Sequence, residues 1–474
     1  MAAGWARARG GACGAAVLLA ACAAPAPDPV DPAGSVQALQ ARRLDDPRLQ
    51  RFIQSERPSQ PTQAPAPWDL DRLTLAALYF HPDLSIARSQ LRIAQAQALT
   101  ARSRPNPGLA ATVGRGAGGV LASPWIVGAA IDFVLESGDR RALRRSQTEL
   151  QVTAARADLQ QACWLVRARV YSALLDLWGA QRRLDPLREQ LALQSERARL
   201  LELRVESGEN PRADLRRELA QREQYAAALA QAEGERAQAR VDLAEAIGVP
   251  VAALDDARVS TEGFDRPPAL DDSVLADPVR RHALLDRADV RDALAQIDVA
   301  QADLKIQLSR RWPDLRVGPG YLFDQGTNKY QVSIGLDWPR SVQGPVAEAL
   351  ARRDLAAGRV LALQARIIGQ IDRASVAWHT SVQLATAGES LLGQAQQRER
   401  AATAQFEAGS LDRPALLGAR IDRLEALRSL QAARERQRRA LASLEDALQW
   451  PLEAGQAAPS APESDPGASA SLSQ

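Results

Sequence analysis

Strict alternation marks residues 328–338, "NKYQVSIGLDW". Apolar side chains occupy every second position, and polar or small side chains occupy the positions between them. Because successive side chains of a β-strand point to opposite faces, this segment predicts a strand with one apolar and one polar face. The apolar set is Tyr330, Val332, Ile334, Leu336 and Trp338, and the other set is Gln331, Ser333, Gly335 and Asp337.

The same period of two predicts three more strands, of which the one in "PWIVGAAIDFVLE" is the clearest. We place the four strands at about 108–114, 124–136, 313–323 and 329–339. Arg115 would fall on the apolar face of the first strand, so we end that strand at Gly114. A glycine-rich loop, 116–123, joins the first two strands.

Most of the remaining chain is rich in Ala, Leu, Gln, Arg and Glu, a composition that favours helix. We predict a short helical segment over 35–55, helix from Trp68 to about Arg104, one very long helix over 138–207 and another over 212–247. Pro105 and Pro107 stop the second of these segments. Pro186 lies inside the longest helix, where it should kink the helix or mark a boundary.

An internal duplication organises the chain. Shifting the sequence by 206 residues superposes Asp83 on Asp289 and Arg104 on Arg310, and after the strands a shift of 201 superposes Gly208 on Gly409. The order of features also repeats: helix, proline stop, two strands, long helix, glycine turn, long helix. We predict repeats over 68–248 and 282–451, joined by a linker over 249–281, and a disordered tail over 452–474.

The N-terminus has the pattern of a lipoprotein signal. Arginines precede a short apolar stretch, and Leu19-Ala20-Ala21-Cys22 resembles a bacterial lipobox. We predict a signal peptide over 1–21, lipidation of Cys22 and a tethered linker with a peripheral helix over 22–67. The alternative is a fortuitous LAAC in an Ala-rich chain. Ala23 stands where an aspartate would signal retention in the inner membrane, which implies the outer membrane.

Cysteine chemistry adds little beyond that anchor. Cys13 would leave with the signal peptide and Cys22 would be acylated. Cys163 then remains alone in a helical stretch, where we expect a small core residue. No structural disulfide is available within one mature subunit.

Composition excludes several function classes. A net charge of +2 gives no strong attraction to nucleic acid, and 4% aromatic residues are too few for a base-stacking surface. No apolar run reaches the 18 or more residues that a membrane-spanning helix needs. Any membrane contact must therefore come from the strands or from the lipid anchor.

The strands suit a transmembrane barrel that is apolar outside and polar inside. Trp125 and Phe133 are eight residues apart on the apolar face, as are Tyr330 and Trp338, which corresponds to about 19 Å of membrane depth. The opposite, lumenal face carries Asp132, Glu136, Arg316 and Asp337. The alternative is a small soluble sheet packed on a helix. Four strands cannot close a barrel, so a membrane sheet must pair with other subunits.

The chain resembles the outer-membrane efflux protein family, the TolC-like trimeric ducts, over residues 35–450. The resemblance rests on the two repeats, on "LTLAALYFHPDLSIARSQLRIAQAQALTARSRPNPGL", and on the turns "VESGENPRADL" and "FEAGSLDRPALL". The lipobox and "SVQALQARRLDDPRLQRFI" are similar to the lipoprotein branch that serves resistance-nodulation-division pumps, and "RPNPGL" to its heavy-metal relatives. The family fold implies a mainly α homotrimer: a long α-helical barrel plus a transmembrane β-barrel to which each chain gives four strands.

No catalytic or metal-binding constellation stands out. His81, His282 and His379 are scattered, and the chain has no phosphate loop, no HExxH and no CxxC. Carboxylates on long amphipathic helices are usually solvated or paired with arginine. We therefore predict no enzyme activity, no cofactor and no resident metal.

The resulting hypothesis is a passive duct of a tripartite efflux system. It would export small toxic solutes, heavy-metal ions or drugs, and its partners would be outer-membrane lipid, a periplasmic adaptor and an inner-membrane pump. Two alternatives stay open: a type I secretion duct for polypeptides, or a structural coiled-coil lipoprotein without a pore. The sequence leaves the substrate undetermined.

The two glycine turns are the candidate periplasmic tip and gate. By resemblance, Gly208, Glu209, Gly409, Ser410 and Leu411 should meet the adaptor. Carboxylates that narrow such channels lie just past the turn. Asp214 fits that position, whereas Ala415 and Gly418 occupy its counterparts in the second repeat. We therefore predict a charge lock in which Asp412 and Arg413 pair with Arg212 or Asp214 of neighbouring helices.

Overall fold

The computed structural model describes residues 31–56, 67–116, 123–265, 270, 277–338 and 340–452. The chain forms two compact units, one up to Arg42 and one from Arg43 onward. The described part of the first unit contains helix α1, Pro32–Gln40, and the Asp31 carboxylate caps it by accepting a hydrogen bond from the amide of Ala33 at 3.0 Å. The predicted signal peptide, the lipidation at Cys22 and the tail beyond Leu452 lie outside the described residues.

Nine helices and four strands make up the described part of the second unit. The helices are α2 (Pro47–Glu56), α3 (Leu70–Phe80), α4 (Pro82–Ala101), α5 (Arg140–Glu206), α6 (Arg212–Ile247), α7 (Asp277–Leu285), α8 (Ala288–Ser309), α9 (Gln343–Glu407) and α10 (Arg413–Leu448). The strands are β1 (Gly108–Arg115), β2 (Trp125–Leu135), β3 (Asp314–Asp324) and β4 (Thr327–Asp337). Two short 3₁₀ turns, Val251–Leu254 and Glu262–Phe264, follow α6.

The order of elements repeats as the sequence predicts. Each half has two helices, a pair of strands, a long helix, a tight turn and a second long helix. The prediction of a duplicated, mainly helical fold with four strands is therefore confirmed. Helix α7 begins at Asp277, inside the segment that we assigned to the linker.

Two helix predictions are wrong in their continuity. The segment from Trp68 to Arg104 is split at His81, whose extended backbone ends α3 and whose Nδ1 accepts the amide of Asp83 at 3.2 Å to begin α4. Pro82 imposes the break because it has no amide hydrogen to continue a helix. The helix predicted over 35–55 is likewise interrupted, between Gln40 and Pro47.

Pro186 does not end a helix. Helix α5 is 67 residues long and continues through Pro186, so the boundary interpretation is wrong. One proline removes one backbone hydrogen bond, and packing on both sides of it holds the helix together. Leu184 and Leu187 are buried against Ala232 of α6.

The largest hydrophobic core lies where α3, α5 and the end of α6 meet. Phe264 enters this core, with its ring edge-to-face on Tyr171 at 5.3 Å. Arg438 of α10 is buried over the same ring and donates to the carbonyl oxygens of Gly263 and Phe264 at 2.7 and 3.1 Å. Cys163 is fully buried nearby, as predicted, and burial raises the pKa of its thiol to about 11.

Buried arginines tie α10 to the first repeat and to the start of α8. Arg167 of α5 pairs with Glu445 of α10 at 3.3 Å, and both side chains are almost fully buried. Arg287 donates to the carbonyl oxygen of Ala447 at 2.5 Å, near the end of α10. Helix α5 packs against α4, α6, α8 and α10, and α9 packs against α8 and α10. Helices α4, α6 and α9 therefore lie at the edges of the helical layer.

Candidate channel-forming sheet and interhelical turns

The four strands form one antiparallel sheet in the order β1-β2-β3-β4. The sheet joins both repeats, because β2 pairs with β3 through Val127 opposite Phe323 and Phe133 opposite Val317. Within the second hairpin, Val317 faces Ile334 and Tyr321 faces Tyr330. Apolar side chains of neighbouring strands therefore share one face.

That apolar face is exposed along its length. Leu109 is 80% exposed, Tyr330 86%, Ile334 71% and Trp338 74%. The strand alternation and the face assignment made from the sequence are thus confirmed. The strand ends differ by one or two residues, and the largest shift is in β4, which begins at Thr327 rather than at 329.

The predicted end of the first strand at Gly114 is wrong by one residue. Arg115 continues β1 opposite Trp125. Its guanidinium carbon lies 6.0 Å from the centroid of the Trp125 ring, so the charge is accommodated on the apolar face by an aromatic neighbour.

The opposite face of the sheet is polar and internally paired. Arg316 bonds Asp337 at 2.7 Å, and Lys329 bonds Asp324 at 2.6 Å. Asp132 lies on the same face beside Gly318. A Cβ at Gly318 would collide with the Asp132 carboxylate and with the Ser333 hydroxyl, so glycine is required for these two side chains to fit. Ser333 donates to the carbonyl oxygen of Gly318 at 3.1 Å.

Ion pairs fasten the sheet to the start of α5. Arg140 bonds Asp314, the first residue of β3, at 2.6 Å, and the amide of Ser137 donates to the same carboxylate at 3.0 Å. Arg144 donates two hydrogen bonds to the Glu136 carboxylate in a bidentate contact. The sequence analysis places that carboxylate on the lumenal face of the sheet. Glu136 lies just past β2 and serves this junction.

The two turns between long helices have the same backbone design. Gly208 and Gly409 adopt left-handed φ values of 83° and 73°, and no atom beyond the neighbouring residues lies within 4 Å of where a Cβ would stand. The amides of Glu209 and Asn210 donate to the carbonyl oxygen of Arg204 at 2.8 and 3.2 Å. The amides of Ser410 and Leu411 donate to Gln405 at 2.9 and 3.3 Å. Backbone conformation, rather than crowding, therefore requires glycine here.

The helices that follow the turns begin differently. Asp412 caps α10, with its Oδ1 accepting the amide of Ala415 at 2.9 Å. Pro211 precedes α6 and offers no side-chain cap. Asp214 pairs with Arg217 on its own helix at 3.3 Å.

The predicted partners of Asp412 and Arg413 are wrong within the chain. Asp412 Oδ2 pairs with Arg204 at 2.8 Å, and Arg413 Nε donates to Glu196 at 2.8 Å. Both partners lie on α5, because the first turn of α10 packs against that helix. The hydrogen bond from Arg204, followed by that from the Ala415 amide, lowers the pKa of Asp412.

Arg204 and Glu196 are thus residues of this region that the sequence interpretation missed. They lie eight residues apart, which places them on one face of α5. That spacing, just before the Gly208 turn, was the available signal. A second missed contact joins α6 to α10: the Tyr225 hydroxyl donates to Glu425 at 2.6 Å, and burial raises the pKa of Tyr225.

The described residues contain no group of three or more His, Cys, Asp or Glu side chains that could hold a metal ion. His81 is buried at the start of α4, His282 contacts Asp286 at 2.9 Å and His379 contacts the carbonyl oxygen of Ser375 at 2.9 Å. Among the described helices, none has an apolar stretch long enough to cross a bilayer.

Comparison with known proteins agrees with this architecture. Residues 75–249 match the sequence model of the family described as outer membrane efflux protein. The cobalt-zinc-cadmium resistance protein CzcC of Cupriavidus metallidurans is 25% identical over 381 residues, which cover 79% of this chain and 87% of that protein.

Two solved structures show the same fold. A membrane protein from Pseudomonas aeruginosa superposes with a TM-score of 0.67 at 21% identity, covering 82% of this chain and 92% of that one. The outer-membrane channel OprN superposes with a TM-score of 0.68 at 20% identity, covering 80% and 89%. With the sequence match over residues 75–249, the repeated helices and the four-stranded sheet, the chain is similar to the outer membrane efflux proteins in the sequence of its first repeat and in its fold.

Proposed function

We propose that three copies of this chain form the outer-membrane duct of a tripartite efflux system. The observation that carries the proposal is the sheet, which exposes one continuous apolar face and has two unpaired edges. A monomeric soluble protein rarely exposes so large an apolar surface. Lipid is the medium in which such a face is stable.

The edges make a single chain insufficient. Among the described strands, β1 pairs only with β2 and β4 pairs only with β3. In a bilayer, unpaired backbone amides and carbonyls cost several kcal/mol each, and about eight strands are the fewest that close a barrel. Three copies of four strands supply twelve, the number that the family resemblance implies.

The helices support the same contact between copies. Helix α4 leads into β1 and exposes Ile86, Ile93 and Leu99, whereas α9 follows β4 and exposes Leu355, Leu361 and Ile368. One copy's α4–β1 flank can therefore pack against another copy's β4–α9 flank. A head-to-tail contact of this kind closes into a ring when the rotation per copy allows it.

The remaining parts of the proposal rest on the family resemblance and on the sequence. Lipidation at Cys22 would add an anchor to the outer membrane. The turn residues Gly208-Glu209 and Gly409-Ser410-Leu411 would receive a periplasmic adaptor, which couples the duct to an inner-membrane pump of the resistance-nodulation-division type. The duct itself would be passive rather than an enzyme. The similarity to a cobalt-zinc-cadmium resistance protein favours heavy-metal ions as cargo over drugs or polypeptides.

Conductance across a planar bilayer tests the proposal. The purified full-length protein should give discrete current steps, because a closed barrel encloses water. The Ser333→Arg variant, changed on the polar face, should insert and alter the size of the steps. Inserted, folded protein that passes no current would favour a non-pore scaffold instead.

The anchor has its own test. Mass spectrometry of the mature N-terminus should show an acylated Cys22, and Cys22→Ala should release the anchor while the trimer persists. An unmodified N-terminus at another residue would refute lipidation without affecting the proposed duct.

A further inference from the structure

Arginine is concentrated where the helices meet the sheet. Four junction segments lie where strands meet helices: 102–107, 310–313, residues 338 and 340–342, and 136–149, which includes the first ten residues of α5. They contain nine arginines: Arg102, Arg104, Arg140, Arg141, Arg144, Arg145, Arg310, Arg311 and Arg340. The same segments contain three acids, Glu136, Asp139 and Glu149. Every junction thus carries at least one arginine, and the positive charge is in clear excess.

The other end of the sheet has no such excess. The segments 115–125 and 324–328 contain one arginine, Arg115, and one acid, Asp324. The charge asymmetry is therefore a property of the junction end alone and does not follow from the arginine content of the chain.

Four of these nine arginines are available to a partner. Arg140 and Arg144 are occupied by Asp314 and Glu136. Arg104, Arg310, Arg311 and Arg340 are exposed and form no ion pair with any described residue. The remaining three arginines make local contacts: Arg141 donates to the carbonyl oxygen of Arg102, and Arg102 and Arg145 face Glu149.

Exposed tryptophans accompany the charges. Trp312 is 55% exposed with the Arg311 guanidinium 5.5 Å from its ring, and Trp338 is 74% exposed. Tryptophan prefers the level of lipid head groups, and arginine binds phosphate through two parallel hydrogen bonds. A free anion would explain the arginines, but it would not explain the tryptophans or the adjoining apolar face.

We propose that this junction belt, the four segments defined above, binds anionic phospholipid head groups of the periplasmic leaflet. The inference rests on the proposed function, because it requires the sheet to lie in the outer membrane. Bound head groups would fix the depth at which the sheet sits. They would also screen the repulsion among arginines that three copies bring together.

Native mass spectrometry of the detergent-solubilised full-length protein tests the belt. The protein is titrated with phosphatidylglycerol or with phosphatidylethanolamine of the same acyl chains. An arginine near an anionic surface is worth about a fivefold change in affinity, so the wild type should prefer phosphatidylglycerol at least about tenfold. The variant Arg104→Gln/Arg310→Gln/Arg311→Gln/Arg340→Gln should lose that preference, and the preference should weaken in high salt.

Two further variants separate the charge of the belt from other effects. Arg199→Gln/Arg236→Gln/Arg398→Gln/Arg400→Gln removes four exposed arginines from α5, α6 and α9 and should leave the preference unchanged. Lysine at the four belt positions keeps the charge and should retain the preference within about threefold. Unchanged preference in the glutamine belt variant, an equal loss in the control, or displacement of the lipid by inorganic phosphate would each overturn the proposal. A wild type that conducts but shows no lipid preference would refute the belt and leave the duct standing.

Discussion

The sheet and the two interhelical turns are connected by the same long helices, yet they differ in whether their polar and apolar groups find partners within one chain. In the sheet, apolar side chains such as Tyr330 and Ile334 are exposed and the edges β1 and β4 lack partners on one side. At the turns, the backbone around Gly208 and Gly409 closes its own hydrogen bonds, and Asp412 pairs within the chain. In the proposed duct, the sheet therefore depends on lipid and on other copies, whereas the turns are complete in one copy.

This difference assigns separate roles to the two regions. A region that is incomplete alone is stable only after assembly, so substitutions there should act on assembly and insertion. A region closed by exposed ion pairs is held by contributions of at most about 1 kcal/mol each, which a partner can replace at little cost. In the proposed duct, the turns are thus the place where we expect opening to be controlled.

The largest expected effect comes from charge on the apolar face. Ile334→Arg should destabilise the inserted protein by about 2–4 kcal/mol, because it places a guanidinium near the middle of the bilayer. Ser333→Arg, one residue away on the polar face, should cost far less. Urea unfolding of protein folded into vesicles measures both, and equal costs would contradict the assignment of the faces.

The strands and their faces could be predicted because alternation is a local property of the sequence. The helix from Arg212 to Ile247 was also predicted with its observed ends, since Pro211 and Gly248 mark them. The break at His81 is not evident from composition, because the residues on both sides of it favour helix and only Pro82 marks it. The continuation of α5 through Pro186 depends on packing against α6, which the local sequence does not encode.

The turn region was predicted less completely. The glycines were found because a left-handed turn leaves a strong residue preference. The partners of Asp412 and Arg413 were not, because Arg204 and Glu196 are more than 200 positions away along the chain and the packing of α5 against α10 brings them close. The eight-residue spacing of Glu196 and Arg204 before Gly208 places them on one face of α5, but the local sequence does not show which helix that face contacts.

A smaller effect is expected from the turn glycines. Gly208→Ala or Gly409→Ala should destabilise the protein by about 1–2 kcal/mol, because that is the conformational energy cost of a residue with a Cβ in the left-handed region. No steric cost is added, since the space around each Cβ position is open. Asparagine at the same positions should cost less, as it tolerates this conformation. If alanine and asparagine are both neutral by thermal unfolding, these positions do not hold the turn.

The ion pairs at the turns should control opening rather than folding. Asp412→Ala/Arg413→Ala should raise the open probability of single channels, and Arg204→Ala/Glu196→Ala should raise it similarly by removing the same pairs from the other side. The loss of the Asp412 cap adds about 1 kcal/mol to the first variant alone. The increase should shrink in high salt, where wild-type pairs are already screened. Unchanged channels at low salt would point to a steric or apolar closure.

The smallest effect is a dependence on pH. The pKa of Asp412 is lowered in the folded chain. The ionised carboxylate therefore contributes fully to the free energy of unfolding above the pKa of an unfolded aspartate, about 3.9. That contribution is lost as pH falls through the pKa of Asp412 in the folded chain. The pair should therefore persist from pH 7 to pH 5 and weaken below about pH 4. The side chain is 45% exposed, so the loss should stay below about 1 kcal/mol. Asp412→Asn keeps a capping side chain and should remove this part of the pH dependence of thermal unfolding.

The central claim is that the β1 edge of one copy pairs with the β4 edge of another, and cysteine cross-linking tests it most directly. Ala111→Cys on β1 is combined in one chain with Val332→Cys, Ile334→Cys or Leu336→Cys on β4, all on the apolar face. Across a strand pair, side chains on one face stand about 5 Å apart, close enough for a disulfide in at least one register. Oxidation should link two and three chains and no more, whereas Ala111→Cys with Ser333→Cys on the opposite face should stay unlinked. Single chains in every combination, or ladders beyond three, would contradict the closed trimeric barrel.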